Sequence, residues 1–202
     1  MDSQISIDDL NKIEAGIRQK YSEVARSPEG QFQYPTGRKG LKTLNYDKAL
    51  IAKLPDAVAS SYCGVGNPFS LGKINEGEKV LDIGCGAGVD TILAAMMVGP
   101  NGLAVGVDIV PEMIARAESN LKMTGMENVS FQTTSGENLP FADDIFDVVI
   151  SNGVINLIVD KEAALAEIRR VLKPGGRLMM ADQIAVASVQ KDIQGRVASW
   201  FQ

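Results

Sequence analysis

Apolar residues recur at Ile7, Leu10, Ile13, Ile17, Tyr21 and Val24. Those steps of three and four put one buried stripe on a helix from about Ser6 to Ala25. Ser6 suits the N-cap, Asp8 and Asp9 suit the positive end of the helix dipole, and Ser27-Pro28 should end the helix. Residues 28 to 45 are rich in Pro, Gly and polar side chains and read as a long loop, of the kind that serves as a lid or binding segment. A short helix is expected from Asp47 to Leu54, stopped by Pro55, followed by a tight turn over Tyr62–Pro68.

From Lys79 the pattern changes to short apolar runs alternating with helical segments. Strands are expected at Lys79–Ile83, Leu103–Ile109, Val129–Thr133, Asp147–Ser151 and Arg177–Ile184. Helices are expected at Val89–Val98, from Pro111 to about Thr124, and at Asp160–Leu172. Gly175-Gly176 reads as the turn into the fifth strand. This alternation implies an α/β fold: a parallel sheet, right-handed crossovers and helices on both faces. Ligands of such sheets bind beyond the carboxyl ends of the strands, at the switch point.

The chain of 202 residues is long enough for one core with an extension, so the expected division is a helical lid over 1–75 and an α/β core over 76–202. Hydrophobic residues at 45% and charged residues at 22% exclude a wholly disordered chain. A net charge of −5 argues against a nucleic-acid partner or an anionic membrane surface. No apolar run nears the ~20 residues of a membrane helix. The polar start, MDSQISIDDL, lacks the regions of a secretory signal, so a cytoplasmic location is expected. Histidine is absent, which removes a histidine base, a Ser-His-Asp triad and histidine metal ligands. Cys63 and Cys85 are too few for a disulfide framework or a four-ligand zinc site, so no metal is expected.

The candidate chemistry centres on Val80-Leu81-Asp82-Ile83-Gly84-Cys85-Gly86-Ala87-Gly88-Val89-Asp90, set between a strand and a helix. A dinucleotide loop, G-x-G-x-x-G, would need glycine at position 89, where this chain has Val89. The spacing here is G-x-G-x-G with Asp82 before it, which suits a nucleoside with no pyrophosphate to cradle. Asp108 closes the second strand 24 residues after Gly84, near the spacing of about 20 expected for an acid that accepts from ribose hydroxyls.

The run from about Glu78 to Ile184 resembles class I S-adenosylmethionine-dependent methyltransferases. VLDIGCGAG, GVDIVPEMI, SGENLPFADDIFDVVISN and LKPGGRLMMAD occur in that family's order. The resemblance implies a Rossmann-like sheet of order 3-2-1-4-5 and S-adenosylmethionine as cofactor. It implies that the loop carrying Asp82, Gly84, Cys85, Gly86 and Gly88 holds the amino-acid part. Asp108 would bind the ribose, Ile109 and Met113 would flank the adenine, Gly136 and Glu137 would sit at its edge, and Asn152 would face the methionine moiety. Many members carry Asp where this chain has Ser135.

Within the family, Ser151–Leu157, Asp160-Lys161 and Gly64–Pro68 resemble arsenite methyltransferases. The cysteines that bind arsenic there correspond to Gly153 and Val65, and a further one lies near a tryptophan resembling Trp200. Cys63 stands two positions from the expected place. The resemblance thus implies a methyltransferase acting on a small-molecule acceptor, without that subfamily's thiols. The alternatives are a catalytically silent S-adenosylmethionine-binding or assembly module, or a fragment of a longer methyltransferase. A nicotinamide oxidoreductase is disfavoured by Val89. No catalytic residue is identified; Tyr21, Tyr34, Tyr46 and Tyr62 are candidates for lining an acceptor pocket. After Ile184 one helix ending in Trp200 and Phe201 is expected in place of the family's terminal hairpin. That leaves the fifth strand, with Leu178, Met179 and Met180, as an edge that a second protomer or the C-terminal helix would cover.

Overall fold

The computed structural model describes residues 6–184. Helix α1 spans Ile7–Val24. Its start is a capping box: the Asp9 N–H donates to Ser6 Oγ at 3.2 Å, and the Ser6 N–H to Asp9 Oδ2 at 3.4 Å. The segment expected to be loop over 28–45 contains a helix, α2 (Gly37–Thr43). Two glycines and a threonine give GRKGLKT weak intrinsic helicity; burial supplies the rest. Leu41 is fully buried, and a Cβ on Gly40 would lie 2.4 Å from the Pro35 carbonyl oxygen, so packing selects glycine there. Helix α3 (Lys48–Lys53) starts where expected, with Asp47 Oδ1 accepting from the Ala49 N–H at 2.7 Å. A four-residue helix α4 (Asp56–Ala59) and a 3-10 turn at Pro68–Leu71 carry too little periodicity to be read from sequence.

The sheet contains β1 (Lys79–Ile83), β2 (Leu103–Asp108), β3 (Val129–Thr133), β4 (Phe146–Asn152) and β5 (Leu172–Ala181). They alternate with α5 (Val89–Val98), α6 (Pro111–Lys122) and α7 (Lys161–Val171). The order is β3-β2-β1-β4-β5 and every pair is parallel, as expected. The fifth strand departs from expectation at both ends. It begins at Leu172, paired with Phe146, before Val148 pairs with Arg177, and it stops at Ala181. Residues 173–176 are therefore an outward irregularity within the strand, where Gly175 has φ +79°.

Alternation along β1 divides the core. Val80 packs with Ala94, Ala95 and Val98 of α5, whereas Leu81 and Ile83 pack with Ile168 and Val171 of α7. Leu41, Tyr46, Ile51, Val58 and Tyr62 share one cluster with Val89, Ile92 and Leu93 of α5, so the segment before the sheet is built onto the core. Among the described residues β5 is an edge. Met179 is buried, Leu178 packs toward the α7 side, and Met180 is 37% exposed. The expected C-terminal helix and the surroundings of Trp200 lie outside the described residues. No helix among the described residues is long and apolar enough to cross a membrane, and none of their His, Cys, Asp and Glu side chains cluster as a metal site.

Candidate active site

The order in which strands are added to the sheet reverses between the parallel neighbours β1 and β4, and a cavity of about 340 Å³ opens beyond their carboxyl ends. Its floor is the loop after β1. That loop is folded back by two bonds to one acceptor: the Gly84 and Cys85 N–H groups donate to the Val107 carbonyl at 2.8 and 2.9 Å. Gly84, Gly86 and Gly88 have φ of +69°, +52° and +79°. A Cβ on Gly86 would meet only Met113 Sδ, at 4.0 Å, so space is open above the backbone there, whereas one on Gly84 would lie 2.2 Å from a Val154 methyl.

Asp108 ends β2 with each carboxylate oxygen committed to one backbone donor. The Gly86 N–H reaches Oδ2 and the Val110 N–H reaches Oδ1, both at 2.9 Å. Burial pushes its carboxyl up from the usual range, and these backbone bonds oppose the shift. Each oxygen keeps lone-pair capacity toward the cavity.

Behind the loop lies a second group of acids. Thr91 Oγ1 donates to Asp82 Oδ2 at 2.6 Å. Asp90 Oδ1 accepts from the Tyr46 hydroxyl at 2.9 Å and Oδ2 from Asn152 Nδ2 at 2.9 Å. Burial, then the charge on Asp90, holds the Asp82 carboxyl well above its ordinary range. Burial pushes Asp90 up to about 6, opposed by its hydrogen bonds from Asn152 and Tyr46. The Cys63 thiol is pushed up to about 12 by burial and the neighbouring Asp108 and Asp90, so it rests protonated.

The family model for a methyltransferase domain matches residues 74–201. The chain belongs to the methyltransferase domain family. It is 37% identical to the arsenite methyltransferase of Halobacterium salinarum over 192 residues, covering 88% of this chain and 49% of that protein. It is 34% identical to the ubiquinone/menaquinone biosynthesis C-methyltransferase UbiE of Proteus mirabilis, covering 71% of this chain and 63% of that one. Among solved structures, an arsenic(III) S-adenosylmethionine methyltransferase from Chlamydomonas reinhardtii matches with a TM-score of 0.56 and 34% identity, covering 74% of this chain and 50% of that one. The chain thus spans about half the length of the arsenite methyltransferases it matches.

Ten of the residues singled out from sequence line the cavity of this methyltransferase domain: Asp82, Gly84, Cys85, Gly86, Asp108, Ile109, Met113, Gly136, Glu137 and Asn152. Gly88 does not. It caps α5, and a Cβ there would lie 2.6 Å from the Phe131 ring, so its glycine serves helix–sheet packing. Glu137 accepts from Ser135 Oγ of its own loop at 2.9 Å and from the N–H of Asp160, the N-cap of α7, at 3.0 Å. Asn152 Oδ1 accepts from the Val65 and Gly66 N–H groups, both at 3.0 Å, which latches the Tyr62–Pro68 turn to the end of β4.

Tyr21, Tyr34 and Tyr62 line the cavity, while Tyr46 is buried behind it. Val65 and Gly153, the positions resembling the arsenic-binding cysteines, come together: a Cβ on Gly153 would sit 3.1 Å from both Val65 methyl carbons. Neither position therefore carries a thiol; Gly153 lines the cavity, Val65 packs against it, and Cys63 is a cavity-lining thiol nearby in the chain. Sequence reasoning missed Asp90 as a site residue, although it stands in the glycine motif, because periodicity marks it only as the helix's first turn. A helical lid over 1–75 was expected, but not which residues of α1 would line the cavity: Leu10, Ile13, Glu14 and Ile17 do so through a stripe that reads equally well as core.

Proposed function

We propose that this domain binds S-adenosylmethionine in the switch-point cavity and methylates a small-molecule acceptor. The observation that supports the reading best is the pairing of the open backbone at Gly86 with Asp108. The carboxylate is pre-oriented by two backbone N–H groups and has lone pairs left for a vicinal diol. In this reading Asp108 holds the ribose and Ile109 and Met113 form the apolar slot for the adenine. Gly136 and Glu137 border that slot. Asp82 and the loop through Gly84, Cys85 and Gly86 hold the amino-acid part. Asn152 faces the methionine moiety while its amide oxygen keeps the 62–68 turn in place. When bound, the cofactor supplies an electrophilic methyl group on a sulfonium; the chain supplies position and exclusion of water.

Helix α1 is the proposed lid. Its apolar side lies over the cavity, and Arg18 Nη1 donates to the Ile109 carbonyl at 2.8 Å. A valine and a glycine stand at the Val65/Gly153 corner, which favours an acceptor held by shape and hydrogen bonds over one held by thiolates. Calorimetric titration with S-adenosylhomocysteine tests the cofactor site. Micromolar binding is expected, weakened about tenfold or more by Asp108→Ala, the equivalent of one good polar contact. Absence of binding by folded protein would sink the proposal.

A further inference from the structure

Three hydroxyl and carboxyl groups are linked in a line whose ends, Tyr62 and Asp90, both line the cavity and whose middle, Tyr46, lies behind it. Tyr62, which lines the cavity, places its hydroxyl 3.0 Å from that of Tyr46, which lies 2.9 Å from Asp90 Oδ1. The Gly66 carbonyl and Asn152 Nδ2 stand beside this line and share its hydrogens: both tyrosine hydroxyls also lie within 3.0 Å of the carbonyl. Asn152 Nδ2 gives one hydrogen to Asp90 Oδ2 at 2.9 Å and the other to the Gly66 carbonyl at 3.0 Å. The Tyr62 hydroxyl can donate either to the Gly66 carbonyl at 2.8 Å or to Tyr46 at 3.0 Å, and the wire uses the second arrangement, with Gly66 held by Asn152. The groups facing Asp90 are Asp82 from β1, Tyr46 from the α2–α3 turn, Tyr62 and Cys63 from the segment after α4, and Asn152 from β4. No lysine or arginine lines the cavity among the described residues. Asp90 therefore has no cationic partner across the cavity, and taking up a proton is its route to neutrality.

We propose that Tyr62, Tyr46 and Asp90 form a proton wire that takes the proton released by the methyl acceptor from the cavity wall to the Asp90 carboxylate. The proposal rests on the methyltransferase reading above and deepens it. It assigns the acceptor to the class that must lose a proton on methylation, such as a phenol or a carbon acid. The acceptor's bond to hydrogen breaks and its proton joins Tyr62 Oη. The Tyr62 hydroxyl proton passes to Tyr46 Oη, and the Tyr46 proton passes to Asp90 Oδ1. The bond from acceptor to methyl carbon forms as the methyl–sulfur bond breaks, its electron pair going to sulfur. The positive sulfonium and the negative carboxylate both end neutral. Burial holds both tyrosines protonated, so they relay a proton without resting as phenolates. Asp90, pushed to about 6, is ionised at neutral pH and still a usable base.

The test compares wild type, Asp90→Asn and Tyr46→Phe in two measurements. The first is affinity for S-adenosylhomocysteine together with a carbon-13 NMR titration of the aspartate carboxyls. Both variants should bind within about threefold of wild type, since neither group is assigned to the cofactor. One carboxyl should titrate near pH 6 in wild type. It should be missing in Asp90→Asn and move to higher pH in Tyr46→Phe, which removes a donor to the charged form. The second is methyl transfer from S-adenosylmethionine to methylhydroquinone. Wild type should lose rate as pH falls through about 6. At neutral pH, Asp90→Asn should lose about 100-fold and Tyr46→Phe about tenfold.

Wild-type protein that fails to bind S-adenosylhomocysteine would bring down the methyltransferase reading itself. With binding intact, three results would overturn the wire alone. One is binding weakened about tenfold by Asp90→Asn, which would make Asp90 a cofactor ligand. Another is turnover unchanged in the variants. The third is no turnover of methylhydroquinone by wild type.

Discussion

At the scale of single residues, the site is built by committing polar groups to one another before any ligand arrives. Asp108, Glu137 and Asn152 all accept backbone N–H groups, so their remaining lone pairs point from fixed positions. The glycines do the complementary work of leaving room. A Cβ on Gly106 would stand 2.7 Å from the Phe131 ring and 2.9 Å from Cys85 Cβ. Gly106→Ala should therefore lower stability by about 1–3 kcal/mol through overpacking beneath the loop, read as a reduced urea midpoint. An unchanged midpoint would show that Phe131 moves aside freely. Gly84, Gly86 and Asp108 were legible from sequence because spacing along one strand-loop-helix unit carries their meaning. Tyr46 was read only as pocket lining, since nothing local announces that its hydroxyl reaches Asp90, 44 residues away.

At the scale of elements, β5 is fastened to the sheet by charge as well as by its ladder. Arg177 donates from Nη1 and Nη2 to the two oxygens of Glu78, at 2.9 and 2.7 Å, and also bonds the Lys73 carbonyl. The guanidinium holds the Glu78 carboxyl down to about 2. A depressed carboxyl adds stability that is complete above its unfolded range and disappears as pH falls through its folded value. Glu78→Gln should accordingly cost about 1 kcal/mol at neutral pH. The gap from wild type should close between the usual value of 4.5 and about 2. Denaturant melts at pH 7, 4 and 2.5 would show it, and a gap that persists in acid would refute the ion pair as its source. The helices with a clear apolar stripe or a capping residue, α1, α3, α6 and α7, fall where the pattern put them. Helix α2 did not announce itself, because its helicity comes from burying Leu41 and not from propensity.

At the scale of the whole molecule, the cavity lies between the sheet and α1, so its two sides belong to distant parts of the sequence. Arg18 bridges them through the Ile109 carbonyl. S-adenosylhomocysteine at a hundred times its dissociation constant should raise unfolding free energy by about 2.7 kcal/mol. It should also slow tryptic cleavage after Arg26, which lies beyond the end of α1. A stabilised core with unaltered cleavage would mean that α1 takes no part in closure.

Local pattern alone determined the five strands in their parallel class, most of the helices, and the glycine loop that lines the cavity. Those features are written in periods of two and 3.6 residues and in glycine spacings, which need no distant partner. Only tertiary structure decided what surrounds the loop. It joined Asp90 to Tyr46 and Asn152 and Tyr46 to Tyr62, brought Val65 against Gly153, placed Gly88 in helix–sheet packing, and chose which residues of α1 line the cavity. The physical reason is that burial and hydrogen-bond pairing across tens of residues depend on which surfaces the sheet brings together, and no local period records that choice.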